Sequence, residues 1–272
     1  MIIQLLDGIK YDIGDYSLKR LYHHIPSISM VHNTTTANGR GGLLFLDSQY
    51  GERIITVELL YQATGIFDYY LLRDKVNALF TRPEPYYIVF KNEPYKRWLV
   101  RVNNNFELPP NQQMEAFTIE FTCENIFSES IGTTLEMQNN KEWDVGLFAW
   151  NDTITWDDDL SYTFTNKNFN VKNLGNVDID PREHELIVTI KGDFPNGLTM
   201  INNTTEEVYQ YNGKLTTSDT LMINGIRTLK NGISDFGSTN KKLITLRPGE
   251  NNMTISGGTM SSISFNFRFL YK

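Results

Sequence analysis

The 272-residue chain holds a single cysteine, Cys123, and only four histidines, His23, His24, His32 and His184. One cysteine excludes an intramolecular disulfide framework and any multi-cysteine zinc site. Basic residues are outnumbered, 25 Lys and Arg against 32 Asp and Glu, for a net charge of −7. A protein that lives on phosphate contacts is basic, so sequence-specific nucleic-acid binding is not expected. No apolar run approaches the ~18 residues of a membrane span, so no membrane insertion is expected. The opening Met1-Ile2-Ile3-Gln4-Leu5-Leu6-Asp7 has no basic region and meets an acid after six residues. It does not read as a signal peptide, and synthesis in a cytoplasm is expected. Three catalytic signatures are also missing: the Gly-x-Ser-x-Gly elbow, His-Glu-x-x-His and a phosphate-cradling glycine loop.

Strand signals dominate what is present. Ile55, Val57 and Leu59 alternate with Thr56 and Glu58; Trp98, Val100 and Val102 alternate with Leu99 and Arg101. Phe117, Ile119, Phe121 and Cys123 form a third such set, and Tyr86-Tyr87-Ile88-Val89-Phe90 is an aromatic and β-branched run. A period of two places one set of side chains on one sheet face, which predicts half-buried strands. One segment departs from this. Tyr69, Leu72, Val76 and Leu79, with Phe80 beside them, recur at steps of three and four and predict a helix over 68–80, with Asp68 as N-cap and Pro83 and Pro85 after its end. Further on, Leu186–Ile190, Val208–Tyr211, Leu221–Ile223, Leu243–Leu246 and Ile263–Phe269 are short strand candidates. They are punctuated by Asn196-Gly197, Asn212-Gly213, Asn224-Gly225, Asn231-Gly232 and Pro248-Gly249. Short strands with frequent turn signals predict a sandwich or barrel. The expected organisation is a first domain over 1–131 with one helix, a linker or irregular stretch over 132–159, and a β-sandwich over 160–272. The last strand either stays in the sandwich or returns to the first domain. Both parts are mildly acidic: 12 bases and 15 acids in 1–131, 13 and 17 in the rest.

This order of elements resembles the distal tail protein family of siphophages, the bacteriophages with long, non-contractile tails. The resemblance rests first on Arg53-Ile54-Ile55-Thr56-Val57-Glu58-Leu59, the 68–80 helix, Pro85–Phe90, Lys96–Val102 and Phe117–Cys123. It rests second on Leu246-Arg247-Pro248-Gly249-Glu250-Asn251-Asn252-Met253-Thr254-Ile255 and on Asn202-Asn203-Thr204-Thr205 followed by Tyr209-Gln210-Tyr211. It implies a mainly β chain with one helix: an N-terminal β-sandwich or barrel-like ring domain and a C-terminal galectin-like, carbohydrate-module-like β-sandwich. It also implies a structural virion protein at the tail tip whose N-terminal domains close into a homohexameric ring. That ring would join the tail tube to baseplate, fibre or lysin proteins and let DNA pass. The alternative is a tail component that adheres to host cell-wall carbohydrate.

Several residue groups carry competing readings. Residues 23–50 are rich in Thr, Asn, Gly and Ser and are either a flexible surface loop or an arm reaching a neighbouring subunit. The resemblance favours the arm, with Thr34, Asn38, Gly39 and Arg40 in it and Arg53 beside it as candidate oligomer contacts. Open edges for pairing between copies are expected on the Ile54–Leu60 and Lys96–Val102 strands. Trp143, Trp150, Trp156 and Tyr162 are either a sugar-stacking platform or packing residues, and the strong burial tendency of Trp favours packing. Asp152 with Asp157-Asp158-Asp159 lacks the glycine and closing glutamate of an EF-hand loop and reads as a solvated loop. His23, His24 and His32 match no metal-ligand spacing. Cys123 shares a face with Phe117, Ile119 and Phe121 and reads as a small buried hydrophobe. No catalysis, metal or cofactor is expected. A chelator should therefore leave the melting temperature unchanged, because a metal held only by the native state would raise it by mass action. A clear drop with EDTA in a thermal melt would contradict this.

Overall fold

The computed structural model describes residues 1–39, 41–110, 113–139 and 160–272. The chain divides into two compact units, Met1–Ser128 with Lys272, and Glu129–Tyr271. In the first unit the strands are β1 (Ile2–Gln4), β2 (Lys10–Asp12), β3 (Leu18–His24), β4 (Met30–Thr35), β5 (Leu44–Tyr50) and β6 (Ile54–Gln62). Helix α1 (Ile66–Phe80) follows, then β7 (Tyr86–Val89), β8 (Lys96–Val102) and β9 (Met114–Cys123). One antiparallel sheet runs in the order β2-β1-β7-β8-β9-β6-β3, while β4 and β5 pair only with each other.

The alternating sets of the sequence meet directly across the β6–β9 pair. Ile55 faces Phe121, Val57 faces Ile119 and Leu59 faces Phe117, and all six are buried. At roughly 1.5–3 kcal/mol for each large apolar side chain removed from water, this face fixes the register. A slip of one residue would turn the whole set to solvent. Helix α1 covers the core with Tyr69, Leu72, Val76, Leu79 and Phe80. The helix starts two residues earlier than the periodicity predicts, with Gly65 as N-cap. Asp68 instead sits within the first turn and accepts hydrogen bonds from the N–H (2.7 Å) and Oγ1 (2.9 Å) of Thr64. These bonds hold its carboxyl below the ordinary carboxylate value. Buried tyrosines tie down irregular backbone: the Tyr69 hydroxyl donates to the Leu108 carbonyl at 2.7 Å and Tyr61 to Pro109 at 2.6 Å.

The expectation of free edges on the Ile54–Leu60 and Lys96–Val102 strands is corrected. β6 lies between β3 and β9, and β8 lies between β7 and β9; the ends of the sheet's path are β2 and β3. Alternate burial on one face occurs in central and edge strands alike, β6 and β12 being one of each, so the pattern alone does not tell them apart.

After β10 (Ser128–Ser130), the second unit opens with α2 (Thr134–Asn139). The expected linker therefore begins as a helix. Thr133 and Glu136 cap it reciprocally: the Thr133 N–H donates to the Glu136 carboxylate at 2.7 Å, and the Glu136 N–H donates to Thr133 Oγ1 at 3.4 Å. Buried Thr134 donates to the Phe265 carbonyl at 2.7 Å and accepts from the Phe267 N–H at 3.2 Å, which holds the helix on the sheet.

The strands that follow are β11 (Thr163–Phe164), β12 (Asn168–Asn173), β13 (Leu186–Asp193), β14 (Leu198–Asn202), β15 (Glu207–Tyr211), β16 (Thr220–Asn224), β17 (Arg227–Lys230), β18 (Ile233–Ser234), β19 (Gly249–Ser256), β20 (Thr259–Phe267) and β21 (Leu270–Tyr271). All but β21, which pairs with β10, form a six-stranded sheet, β11-β20-β13-β16-β17-β18, and a four-stranded one, β12-β19-β14-β15. Leu186, Val188 and Ile190 of β13 face Phe267, Phe265 and Ile263 of β20, the cleanest alternation in the sequence. Rings join the two sheets, with Phe169 of β12 5.9 Å from Phe265. A hydrogen bond of 2.9 Å between the Tyr209 and Thr228 hydroxyls does the same. The β17–β18 turn is Asn231-Gly232, with φ of 52° and 82°. That pair of left-handed residues is what a two-residue hairpin with matching twist requires. Leu243–Leu246, expected as a strand, makes only an isolated bridge between Leu246 and Ile179.

The Leu246–Ile255 signature is a polar knot. Buried Asn251 accepts from the Arg247 N–H (2.9 Å) and donates to the Arg247 carbonyl (2.8 Å) and the Val171 carbonyl (3.3 Å). Buried Asn202 donates to Asn251 (3.2 Å) and to the Thr245 carbonyl (2.8 Å). Buried Asn173 donates to the Leu246 carbonyl (3.2 Å). Three asparagines thus satisfy a loop that has no ladder of its own. Asn251→Ala removes the amide that serves the Arg247 N–H and the Arg247 and Val171 carbonyls and should cost about 2–3 kcal/mol. Asn252→Ala, on the exposed face next door, should stay within about 0.5 kcal/mol. Urea denaturation of both variants checks this, and equal costs would show that the knot is not specific.

Candidate assembly surface

The surface is built on β4 and β5. They form a hairpin in which Met30 faces Tyr50, Val31 faces Gln49 and His32 faces Ser48, with a register shift between Asn33 and Thr34. His32 Nδ1 lies 2.7 Å from the Ser48 hydroxyl. Nearly every residue of the hairpin is exposed, including Met30, Val31, Leu43, Leu44, Phe45, Leu46 and Tyr50, with Phe45 at 67%. Residues 23–50 are therefore not a structureless loop but the end of β3 followed by a projecting ribbon. Thr34 lies in β4 opposite Phe45, and Asn38-Gly39 lies at the tip, where Gly39 has φ 84°. Arg40 lies outside the described residues. An isolated two-stranded ribbon is marginal in water and leaves unpaired N–H and C=O groups along both strands.

The foot of the ribbon is fixed by Arg53. The residue expected among the exposed contacts is instead 5% exposed. Its Nε donates to the Pro26 carbonyl at 3.0 Å and its Nη1 to the Ile126 carbonyl at 2.9 Å. Its guanidinium lies 4.6 Å from the centre of the Trp98 ring. Burial pulls the Arg53 pKa below its ordinary value. The sequence reading missed this because an arginine ahead of a strand looks like a surface residue until the chain folds back over it. Tyr50 adds an edge-on contact with Phe127, 5.6 Å between ring centres. The Gly51 N–H donates to the Ser29 carbonyl at 2.8 Å. Beside these residues is an open cleft of about 460 Å³ whose walls include Ile25, Pro26, Ile28, Met30, Tyr50 and Arg53.

A second exposed apolar group lies on α1. Ile66 is 71% and Phe67 87% exposed, with Tyr70 and Leu71 also exposed. The sequence carries a signal for it that the buried stripe hides: Ile66 and Tyr70, Phe67 and Leu71 are each four apart. The first turns of α1 are therefore apolar on both faces, as in a helix meant to be covered.

Among the described residues, the remaining candidates do not gather into a chemical site. Among the described residues no three His, Cys, Asp or Glu side chains are placed to hold a metal ion. His23 stacks on Phe90 at 4.1 Å, with Arg20 hydrogen-bonded to its ring; burial first, then the Arg20 charge, lowers its pKa. Cys123 is buried and its thiol is pushed up to about 11 by burial, so it is not a thiolate at neutral pH. Tyr162, offered as part of a sugar platform, is 1% exposed. Its hydroxyl donates to the Lys172 carbonyl at 2.9 Å and its ring sits edge-on to Phe267. It packs a core and presents no face to a sugar. Trp143, Trp150, Trp156, Asp152 and Asp157–Asp159 lie outside the described residues. No described helix is long and apolar enough to cross a membrane.

Residues 9–123, which hold the sheet apart from β1, together with α1 and the ribbon, match the phage tail protein RIFT-related domain family. The whole chain has the fold of the SPP1 Dit protein, described as a paradigm of the hub adsorption apparatus in phages infecting Gram-positive bacteria. The match covers 98% of both chains at 16% identity, with a TM-score of 0.70. Two structures of the phage p2 baseplate in its activated conformation, with Ca and with Sr, align over 98% of this chain and 96% of theirs at 12% identity and a TM-score of 0.45. The sequence matches none of the curated proteins it was compared with.

The Arg53 lock generates a test. Arg53→Lys keeps the charge but cannot reach two diverging carbonyls, and it should cost about 2–3 kcal/mol. Hydrogen exchange at Ile25–Ile28 should speed up while β13 and β20 of the other unit keep their protection. Unchanged exchange at the foot would mean that the lock does not hold the ribbon.

Proposed function

We propose that the protein is a structural component of a siphophage tail tip. Its first unit builds a homohexameric ring that joins the tail tube to baseplate, fibre or lysin proteins, and DNA passes through the middle. The protein works without catalysis and without a cofactor. It is made in the cytoplasm of the host bacterium and ends in the virion. The observation that carries this reading is the projecting ribbon, exposed and apolar, on a unit that matches a phage tail domain. A solitary protein gains nothing from holding Leu43–Leu46 in water; a subunit that lays the ribbon across a neighbour buries them. The sandwich, with its edges at β11, β18, β12 and β15, is left to carry other tail proteins.

Light scattering and electron microscopy of the purified full chain test the reading. Six-fold rings are the expected outcome. A chain that stays monomeric both alone and with the tail-tube protein of the same phage would end the ring reading. Retention of that monomer on host cell-wall polysaccharide would favour adhesion instead.

A further inference from the structure

Arg53 is almost wholly buried, yet none of its bonds goes to an anion. Nε and Nη1 are spent on carbonyls, and among the described residues nothing accepts from Nη2. Burial lowers its pKa, and the group that opposes the shift is the Cys123 thiol, not a carboxylate. The nearest acid in the sequence, Glu52, accepts instead from the Thr122 hydroxyl at 3.2 Å. A guanidinium drawn out of water without a counter-charge is costly, so an anion beside it is favoured. Arg53 lines the open cleft of about 460 Å³ at the foot of the ribbon, whose apolar wall includes Ile25, Ile28, Met30 and Tyr50. The charged side chains that line it are Arg53 and Lys272, both cations, in a chain whose net charge is −7. We propose that this cleft binds a segment of a partner protein that brings an Asp or Glu carboxylate to Arg53 and an apolar side chain to the wall. Such binding is a property of the single chain, so it goes beyond the ring reading and stands apart from it.

Three observations favour a peptide carboxylate as the occupant. The first is charge complementarity. A carboxylate at Nη2 makes a charge-assisted hydrogen bond where water is largely shut out, the setting in which such bonds are strongest. The second is the wall. Met30 and Tyr50 are about half exposed, and a bare anion gains nothing from them or from Ile25 and Ile28. An apolar side chain next to the carboxylate buries this surface and gains by it. The third is the backbone. Residues 25–29 lie in no strand, helix or turn. Among the described residues nothing accepts from the N–H groups of Ser27 and Ile28. Open main-chain donors pair with the carbonyls of an added segment, a mode in which main-chain bonds supply affinity and side-chain pockets supply specificity. Arg53 also holds this stretch through the Pro26 carbonyl. The cation and the open donors are thereby fixed relative to one another before anything binds, which lowers the ordering cost of binding.

The test uses the full-length chain and two capped tripeptides, acetyl-Leu-Asp-Leu-amide and acetyl-Leu-Asn-Leu-amide, which differ in the charge of the middle side chain. Methyl-labelled Ile and Met resonances are followed by NMR, which suits single chains and large rings alike. The methyls of Ile25, Ile28 and Met30 should shift with the Asp peptide, and the Asn peptide should bind about tenfold or more weakly. Added salt should narrow that gap. Met30→Asp places a like charge at an exposed wall position and should abolish the preference for the Asp peptide; thermal melting checks that the fold survives. Ile233→Asp, exposed in the other unit, should leave the preference as it is. Equal binding of the two peptides, or no shift of the three methyls at millimolar Asp peptide, would overturn the proposal. Inorganic phosphate that shifts the same methyls as tightly as the Asp peptide does would show a bare-anion site and overturn it as well. Light scattering on the same samples reads ring formation separately, so either reading can fail while the other stands.

Discussion

A single buried cation decides how the first unit presents its surface. Arg53 spends two N–H groups on carbonyls from distant parts of the chain, Pro26 and Ile126, and lays its plane over Trp98. Neither carbonyl lies in a strand, so without the guanidinium each would lose its side-chain donor in a part-buried place. The arrangement works because a guanidinium has diverging donors and weaker hydration than an ammonium. Its effect reaches beyond its own contacts. Pro26 begins the approach to the ribbon, so the direction of β4 and β5 and the walls of the cleft at their foot follow from where Arg53 holds the chain.

The second unit solves a related problem with neutral groups. Asn173, Asn202 and Asn251 each have an amide that donates to one backbone stretch and accepts from another. They hold Thr245–Gly249 without a ladder of strand hydrogen bonds. An amide offers both donors and an acceptor, which fits a loop where N–H and C=O groups are both orphaned; a carboxylate would satisfy only the N–H groups. A motif that looks like a sequence signature is therefore a packing device.

Those two locks show where sequence reading succeeds and fails. The faces of β6, β9, β13 and β20 were legible because burial on one side forces a period of two, and the helix was legible because burial forces steps of three and four. What pairing requires of both neighbours was not. Whether Ile54–Leu60 is an edge or a centre depends on β3, whose own pattern is weakened by the shift between Arg20 and Tyr22. The α2 start was written in Thr133-x-x-Glu136, a capping box in a stretch whose polar composition reads as a linker. Arg53 was misplaced because a polar tip says nothing about burial until its partners, here backbone carbonyls, are known. The exposed side of α1 was hidden because one apolar stripe already accounted for the helix.

The uncovered apolar surface is also selective in a way that bulk hydrophobicity is not. A net charge of −7 opposes the approach of copies at long range, so the assembly proposed above would depend on short-range shape. A flat, open ribbon edge is a hazard, since any strand can add to it. Here the bulge between Asn33 and Thr34 interrupts the ribbon's regular pairing, and the glycine-bearing tip departs from strand geometry. What is left for recognition is side chains more than backbone: the leucines and phenylalanine of β5, the first turn of α1 and the cleft between foot and sheet. Side-chain recognition fixes orientation, and a fixed rotation from copy to copy is what separates a closed ring from an open filament.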